Sequence, residues 1–154
     1  MSTRARVILA GVVLLLLVGV GVGWLLESRT AANAPSISGS ASAYRVKVTR
    51  QGEELASFDL VALQAVGMKK VVVQGGTEQG PAVLDVLRKA GVTQFRSITV
   101  LGTGQRDSGR IQLQSSEIGP ETVLDIAKRG TVKIAGPTIP RDKRVRDVTE
   151  IQVN

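Results

Sequence analysis

Residues 69–92 read KKVVVQGGTEQGPAVLDVLRKAGV, and this stretch decides the fold. Residues 69–74 carry three consecutive valines, the pattern of a strand covered on both faces. Gly80-Pro81 ends that segment and opens a helix, because proline at the first helical position lacks only an N–H that would have no partner. Val83, Leu84, Leu87 and Ala90 give the helix its apolar face. Asp85 and Lys89 are spaced to pair on the outside, and Gly91 supplies the C-terminal stop.

Working downstream, residues 95–101 read as a strand. A polar, glycine-rich loop over 102–109 leads to a hairpin return at 110–114. Pro120 is expected to open a second helix that buries Val123, Leu124 and Ala127 and ends at Gly130. The two helices look alike, since Gly80-Pro81 precedes Val83-Leu84-Asp85 and Gly119-Pro120 precedes Val123-Leu124-Asp125. Residues 131–135 read as a strand, and Thr149, Ile151 and Val153 alternate in a last one.

Upstream, Tyr44, Val46 and Val48 alternate with Arg45, Lys47 and Thr49, the period of a half-buried strand. Gln51-Gly52 turns the chain into a return strand at 54–57. Ser57 reads as the N-cap of a short helix through Ala65, with Asp59 in its first turn. Hairpins mixed with two main helices imply the α+β class, a small mixed-sheet domain over 44–154.

Composition excludes several chemistries. The chain of 154 residues has 20 Lys+Arg against 13 Asp+Glu, and neither Cys nor His. Thiolate nucleophiles, disulfides, imidazole bases and the usual zinc ligands are therefore ruled out. Trp24, Tyr44, Phe58 and Phe95 are the whole aromatic complement, too few to stack bases, so no nucleic-acid partner is expected.

Residues 7–26 form an apolar run without a charge, long enough as a helix to cross the roughly 30 Å hydrocarbon core of a bilayer. Arg4 and Arg6 in the 1–6 segment place the N-terminus in the cytoplasm, so the rest is extracytoplasmic. Residues 27–43, rich in Ala, Ser, Asn and Gly, read as a flexible linker. The expectation is a single-pass cell-membrane protein held by an uncleaved signal anchor. Secretion after cleavage near Ala32-Asn33-Ala34 is the alternative.

From residue 69 to residue 153 the chain resembles the molybdopterin-binding oxidoreductase domain of the sulfite-oxidase type. The resemblance runs through Val71 to Val73, Gly80-Pro81, Leu84-Asp85-Val86-Leu87 and Ala90-Gly91-Val92. It continues through Ile98 to Leu101, Asp107-Ser108-Gly109, the segment 113–118 and Gly130. Gly136-Pro137, Pro140, Val145, Val148, Ile151 and Val153 complete it. The resemblance implies an α+β scaffold with a metal-holding Cys after the first strand. That position reads Gln74-Gly75-Gly76 here. A degenerate member, with the scaffold kept and the metal ligand lost, is what the resemblance implies. Molybdopterin remains the alternative cofactor, in an oxidoreductase or electron-transfer accessory role.

Candidate contacts follow. Gln74, Gly75 and Gly76 occupy the place of the family's cofactor loop. Arg106 lies in the glycine-rich loop, with Arg110 just after it, where backbone N–H groups and guanidinium can cradle an anion. Arg141, Lys143, Arg144 and Arg146, with Arg45, Lys47 and Arg50, are expected to make a basic face toward an anionic surface or protein partner. Asp107, Glu78 and Asp85 show no spacing that implies a close pair, so no catalytic residue and no metal ligand is assigned. The reading that results is a membrane-anchored, extracytoplasmic binding or interaction module.

Overall fold

The computed structural model describes residues 36–37, 44–103 and 109–154. The segment 7–26 read as transmembrane lies outside the described residues, as do 1–6, most of the span read as linker, Arg106 and Asp107. Among the described residues no helix is long and apolar enough to cross a membrane.

The elements in chain order are β1 (Ser36–Ile37), β2 (Val46–Arg50), β3 (Glu53–Phe58), α1 (Leu60–Val66), β4 (Lys69–Val73), β5 (Gly76–Gly80) and α2 (Val83–Lys89). They continue with β6 (Ser97–Gly102), β7 (Arg110–Gln114), β8 (Val123–Ile126), β9 (Val132–Ala135) and β10 (Val148–Val153). Short 3-10 turns occur at Ser115–Glu117 and Arg141–Lys143. The architecture is α+β, as the mixed pattern implies.

The main sheet has six strands in the order β1-β3-β2-β10-β6-β7. Its centre is the last strand of the chain: β10 runs parallel to β2 and antiparallel to β6. Val46 and Val48 of β2, Ile98 and Val100 of β6, and Ile151 and Val153 of β10 are all buried. Leu63 of α1 and Val83, Val86 and Leu87 of α2 join them in one cluster. Each such side chain contributes about 1.5–3 kcal/mol by leaving water. Within the span read as linker, Ser36 and Ile37 pair with Ser57 and Phe58 of β3.

Tyr44 ties the sheet to β9. Its hydroxyl donates to the Val148 carbonyl at 2.5 Å and accepts from the Val132 N–H at 3.1 Å. Burial pushes its pKa up to about 12, against a smaller lowering by the hydrogen bond from Val132.

Several expectations are corrected. The second helix is absent: Val123, Leu124 and Asp125 form strand β8, paired with β9 through the Lys128-Arg129-Gly130 turn. Pro120 is in a turn closed by the Thr122 N–H on the Gly119 carbonyl at 3.0 Å. The two Val-Leu-Asp triplets therefore have opposite structures. The cause is backbone pairing from the first hairpin. The Leu124 N–H donates to the Pro81 carbonyl at 2.9 Å and the Val83 N–H to the Thr122 carbonyl at 2.8 Å. Ala82 and Val123 form an antiparallel bridge, which holds residue 123 extended. Gly80 permits this approach, because a Cβ there would stand 1.8 Å from the Leu124 carbonyl oxygen.

Helix α2 begins at Val83 with Ala82 as N-cap, so Pro81 sits just before it rather than inside it. Asp85 pairs with Arg88 at 2.8 Å and Lys69 at 3.1 Å instead of Lys89. The triple valine of β4 is not covered on both faces. Val71 and Val73 are buried, while Val72 is 80% exposed, because β4 pairs only with β5 in a small hairpin. Asp59, not Ser57, caps α1, its carboxylate accepting from the Ala62 N–H at 2.8 Å.

Candidate functional site

Two hairpins and one returning segment meet at the site. In the first, Val73 pairs with Gly76, so Gln74 and Gly75 are the tip of the β4–β5 turn. Gly75 has φ of +97°, in the region that favours glycine. A Cβ built there would lie 3.5 Å from Arg141 Cδ and Nη1, so the guanidinium arm lies against the bare backbone of the turn.

The second hairpin supplies Asp125 and Lys133, which are cross-strand partners in β8 and β9. The returning segment follows the 3-10 turn at Arg141–Lys143. The Ile134 N–H donates to the Val145 carbonyl at 3.0 Å, and Lys133 and Arg146 form an antiparallel bridge. Val145 is fully buried in the core. Its neighbours Arg144 and Arg146 project from the other face of the extended chain.

Arg144 is only 6% exposed. Its Nη2 donates to the Gln74 carbonyl at 2.8 Å and its Nη1 to Glu78 Oε1 at 3.3 Å. The second oxygen of Glu78 lies 2.8 Å from Lys133 Nζ, which is also 3.6 Å from Asp125. Asp125 is fixed in turn by the Gln79 N–H at 2.8 Å. The Nε of Arg144 is buried without a hydrogen-bond partner among the described residues.

These groups enclose a cavity of about 140 Å³ lined by Gly75, Glu78, Lys133, Arg141, Arg144 and Arg146. Four cations thus face one carboxylate. Among the described residues neither Arg141 nor Arg146 has a carboxylate partner. An open hollow lined by Ala127, Lys128, Arg129, Thr131, Lys133 and Arg146 adjoins it, since Lys133 and Arg146 line both.

The structure brings together Gly75, Arg141, Arg144 and Arg146 from two stretches that the sequence suggested separately, with Gln74 bonded to Arg144. Gly76 opens β5 beside them. Lys143 is exposed in the 3-10 turn and does not line the cavity. Arg110 is exposed at the start of β7, paired in register with Leu101. Arg50 is not part of this basic face. It pairs with Val153 at the end of β10 remote from Arg144 and Arg146, and its guanidinium donates to the Gln94 carbonyl at 2.8 Å. Lys47 is paired with Glu54 at 3.1 Å.

Sequence reasoning missed Lys133 and Asp125, and left Glu78 unpaired. Reading 123–130 as a helix hid the signal. As a hairpin about Lys128-Arg129-Gly130, the same residues put Asp125 opposite Lys133.

Among the described residues no group of three or more His, Cys, Asp or Glu is placed to hold a metal ion. The arrangement suits recognition of a small anion: planar guanidinium forks, a low-dielectric wall around Arg144 and an excess of positive charge. Comparison with protein-family models finds no match to the chain, and comparison with curated proteins finds no matching sequence.

Proposed function

We propose that the chain is a membrane-anchored, extracytoplasmic module that binds an anionic ligand or partner and performs no catalysis of its own. The observation that supports this reading is the convergence of Arg141, Arg144 and Arg146 on the Gly75 turn around one cavity. The anchor is the apolar run 7–26. The scaffold reading remains a degenerate molybdopterin-type domain.

The residues do not fit the metal cofactor that the resemblance implies. The chain has no thiolate, and the Gln74 carbonyl is already taken by Arg144. A cavity of about 140 Å³ is smaller than the roughly 300–1,000 Å³ of pockets that enclose a drug-sized ligand.

Partner capture by the full chain tests the reading. Arg141→Gln with Arg146→Gln should abolish capture, and Arg110→Gln should leave it intact. Equal capture by all three proteins overturns the assignment to this face. Molybdenum or pterin bound at one per chain would replace it with the oxidoreductase or electron-transfer reading.

A further inference from the structure

We infer that the cavity between Gly75 and Arg144 receives a phosphate group, either free or at the end of a larger molecule. This rests on the binding-module reading above and names the chemistry of its ligand.

Size comes first. The cavity, about 140 Å³, has room for roughly four or five waters at about 30 Å³ each. A tetrahedral oxyanion with a water or two fills it. The open hollow beside it has about 360 Å³ and shares Lys133 and Arg146. It offers space for whatever the phosphate is attached to.

Charge comes second. The cavity lining carries three more positive charges than negative ones. Counting Asp125, 3.6 Å from Lys133, the excess is still two. A phosphate dianion matches that excess, whereas a carboxylate leaves part of it uncompensated. Glu78 does not cancel the site, because its two oxygens are spent on Lys133 and Arg144 Nη1. It holds those cations in place.

Unmet bonding comes third. Lys133 and Arg146 stand directly opposite each other on an antiparallel bridge, where like charges repel. Arg144, more than nine-tenths buried, keeps its Nε unpartnered among the described residues. Buried donors without partners are rare in folded proteins and often mark a bound ion or water. Arg141 and Arg146, whose side chains reach the same space, bring further guanidinium donors that an oxyanion satisfies bidentately.

The test uses the full chain in lipid nanodiscs and inorganic phosphate as the titrant, read by calorimetry at physiological ionic strength. Binding to a single saturable site is expected, with acetate and chloride unable to compete. Arg141→Gln with Arg146→Gln should weaken phosphate by at least about tenfold, and Lys143→Gln should leave it unchanged. Both altered arginines are exposed, and an unchanged melting temperature verifies folding. Nanodiscs of phosphatidylcholine with and without phosphatidic acid separate the sources. A lipid phosphomonoester as natural ligand weakens phosphate binding in the first, and a free phosphate ligand leaves the two alike. Absence of phosphate binding, or equal affinity in the double variant, overturns the inference. If capture of a partner is still lost in that variant, the binding-module reading stands and only the phosphate assignment fails.

Discussion

Arg144 Nη2 donates to the Gln74 carbonyl oxygen at 2.8 Å, joining residues 70 positions apart. The bond closes the β4–β5 turn onto the segment leading into β10. It fixes the wall of the basic cavity.

Replacing Arg144 with Met is therefore expected to loosen the domain. The Gln74 carbonyl loses its donor and Glu78 loses one of its two cations. Breaking a buried pair on one side costs about 3 kcal/mol. Urea denaturation should report that loss, and Arg141→Gln, at an exposed position, should cost within about 0.5 kcal/mol.

Gly80→Ala is expected to be among the most damaging single-methyl additions. The new Cβ would meet the Leu124 carbonyl oxygen at 1.8 Å, and the atoms it meets are backbone. Separating the two segments breaks the bonds that hold β8 extended, at a cost of about 3 kcal/mol or more. Gly119→Ala is the control, with open space at its Cβ. Thermal melting of the two variants should differ sharply.

Tyr44→Phe should cost about 1–3 kcal/mol, since it leaves the Val132 N–H and the Val148 carbonyl without their partner. The same hydroxyl gives an alkaline signature. Its folded pKa, about 12, lies above the ordinary 10.0, so the neutral form is favoured by folding. That contribution is whole below pH 10 and is lost as pH rises toward 12. Ultraviolet titration of the tyrosinate should show the delayed transition, and Tyr44 is the chain's one tyrosine.

Asp85 has an acid signature of opposite sign. The hydrogen bond from Lys69, aided by Lys69's charge and by Arg88, holds its carboxyl below the usual 3.8. Its contribution is present above pH 3.8 and fades as pH falls through the lowered value. The three side chains are 29%, 46% and 69% exposed, so solvent screens the pairs. Asp85→Asn should therefore cost about 0.5 kcal/mol at pH 7 and nothing in strong acid, measured by denaturation at both pH values.

Local signals were legible where local forces decide. The alternation at Val46 and Val48 marks β2, and Gln51-Gly52 turns as expected, with φ of 53° and 84°. Gly91 ends α2 with φ of 82°, and residues 110–114 return as β7. The α+β class follows from that mixture. The basic cluster at 141–146 and the Gln74-Gly75-Gly76 turn were each visible as candidates. Nothing in the sequence connected them, because the links, the Arg144 bond to the Gln74 carbonyl and the Arg141 arm against Gly75, run across the fold.

The chain's own sequence determined its missing chemistries, its charge and those elements whose caps, turns and alternation act within a few residues. Tertiary structure alone decided the fate of the two Val-Leu-Asp triplets. Residues 83–85 coil because Val83, Val86 and Leu87 reach the core on one helical face. Residues 123–125 extend because the backbone at Pro81 and Ala82 offers them ladder partners. Helix and strand satisfy the same N–H and C=O groups, so intrinsic preference is a weak vote and the neighbouring backbone casts the stronger one. The same choice placed Asp125 opposite Lys133 and assembled the cavity that no stretch of sequence displays.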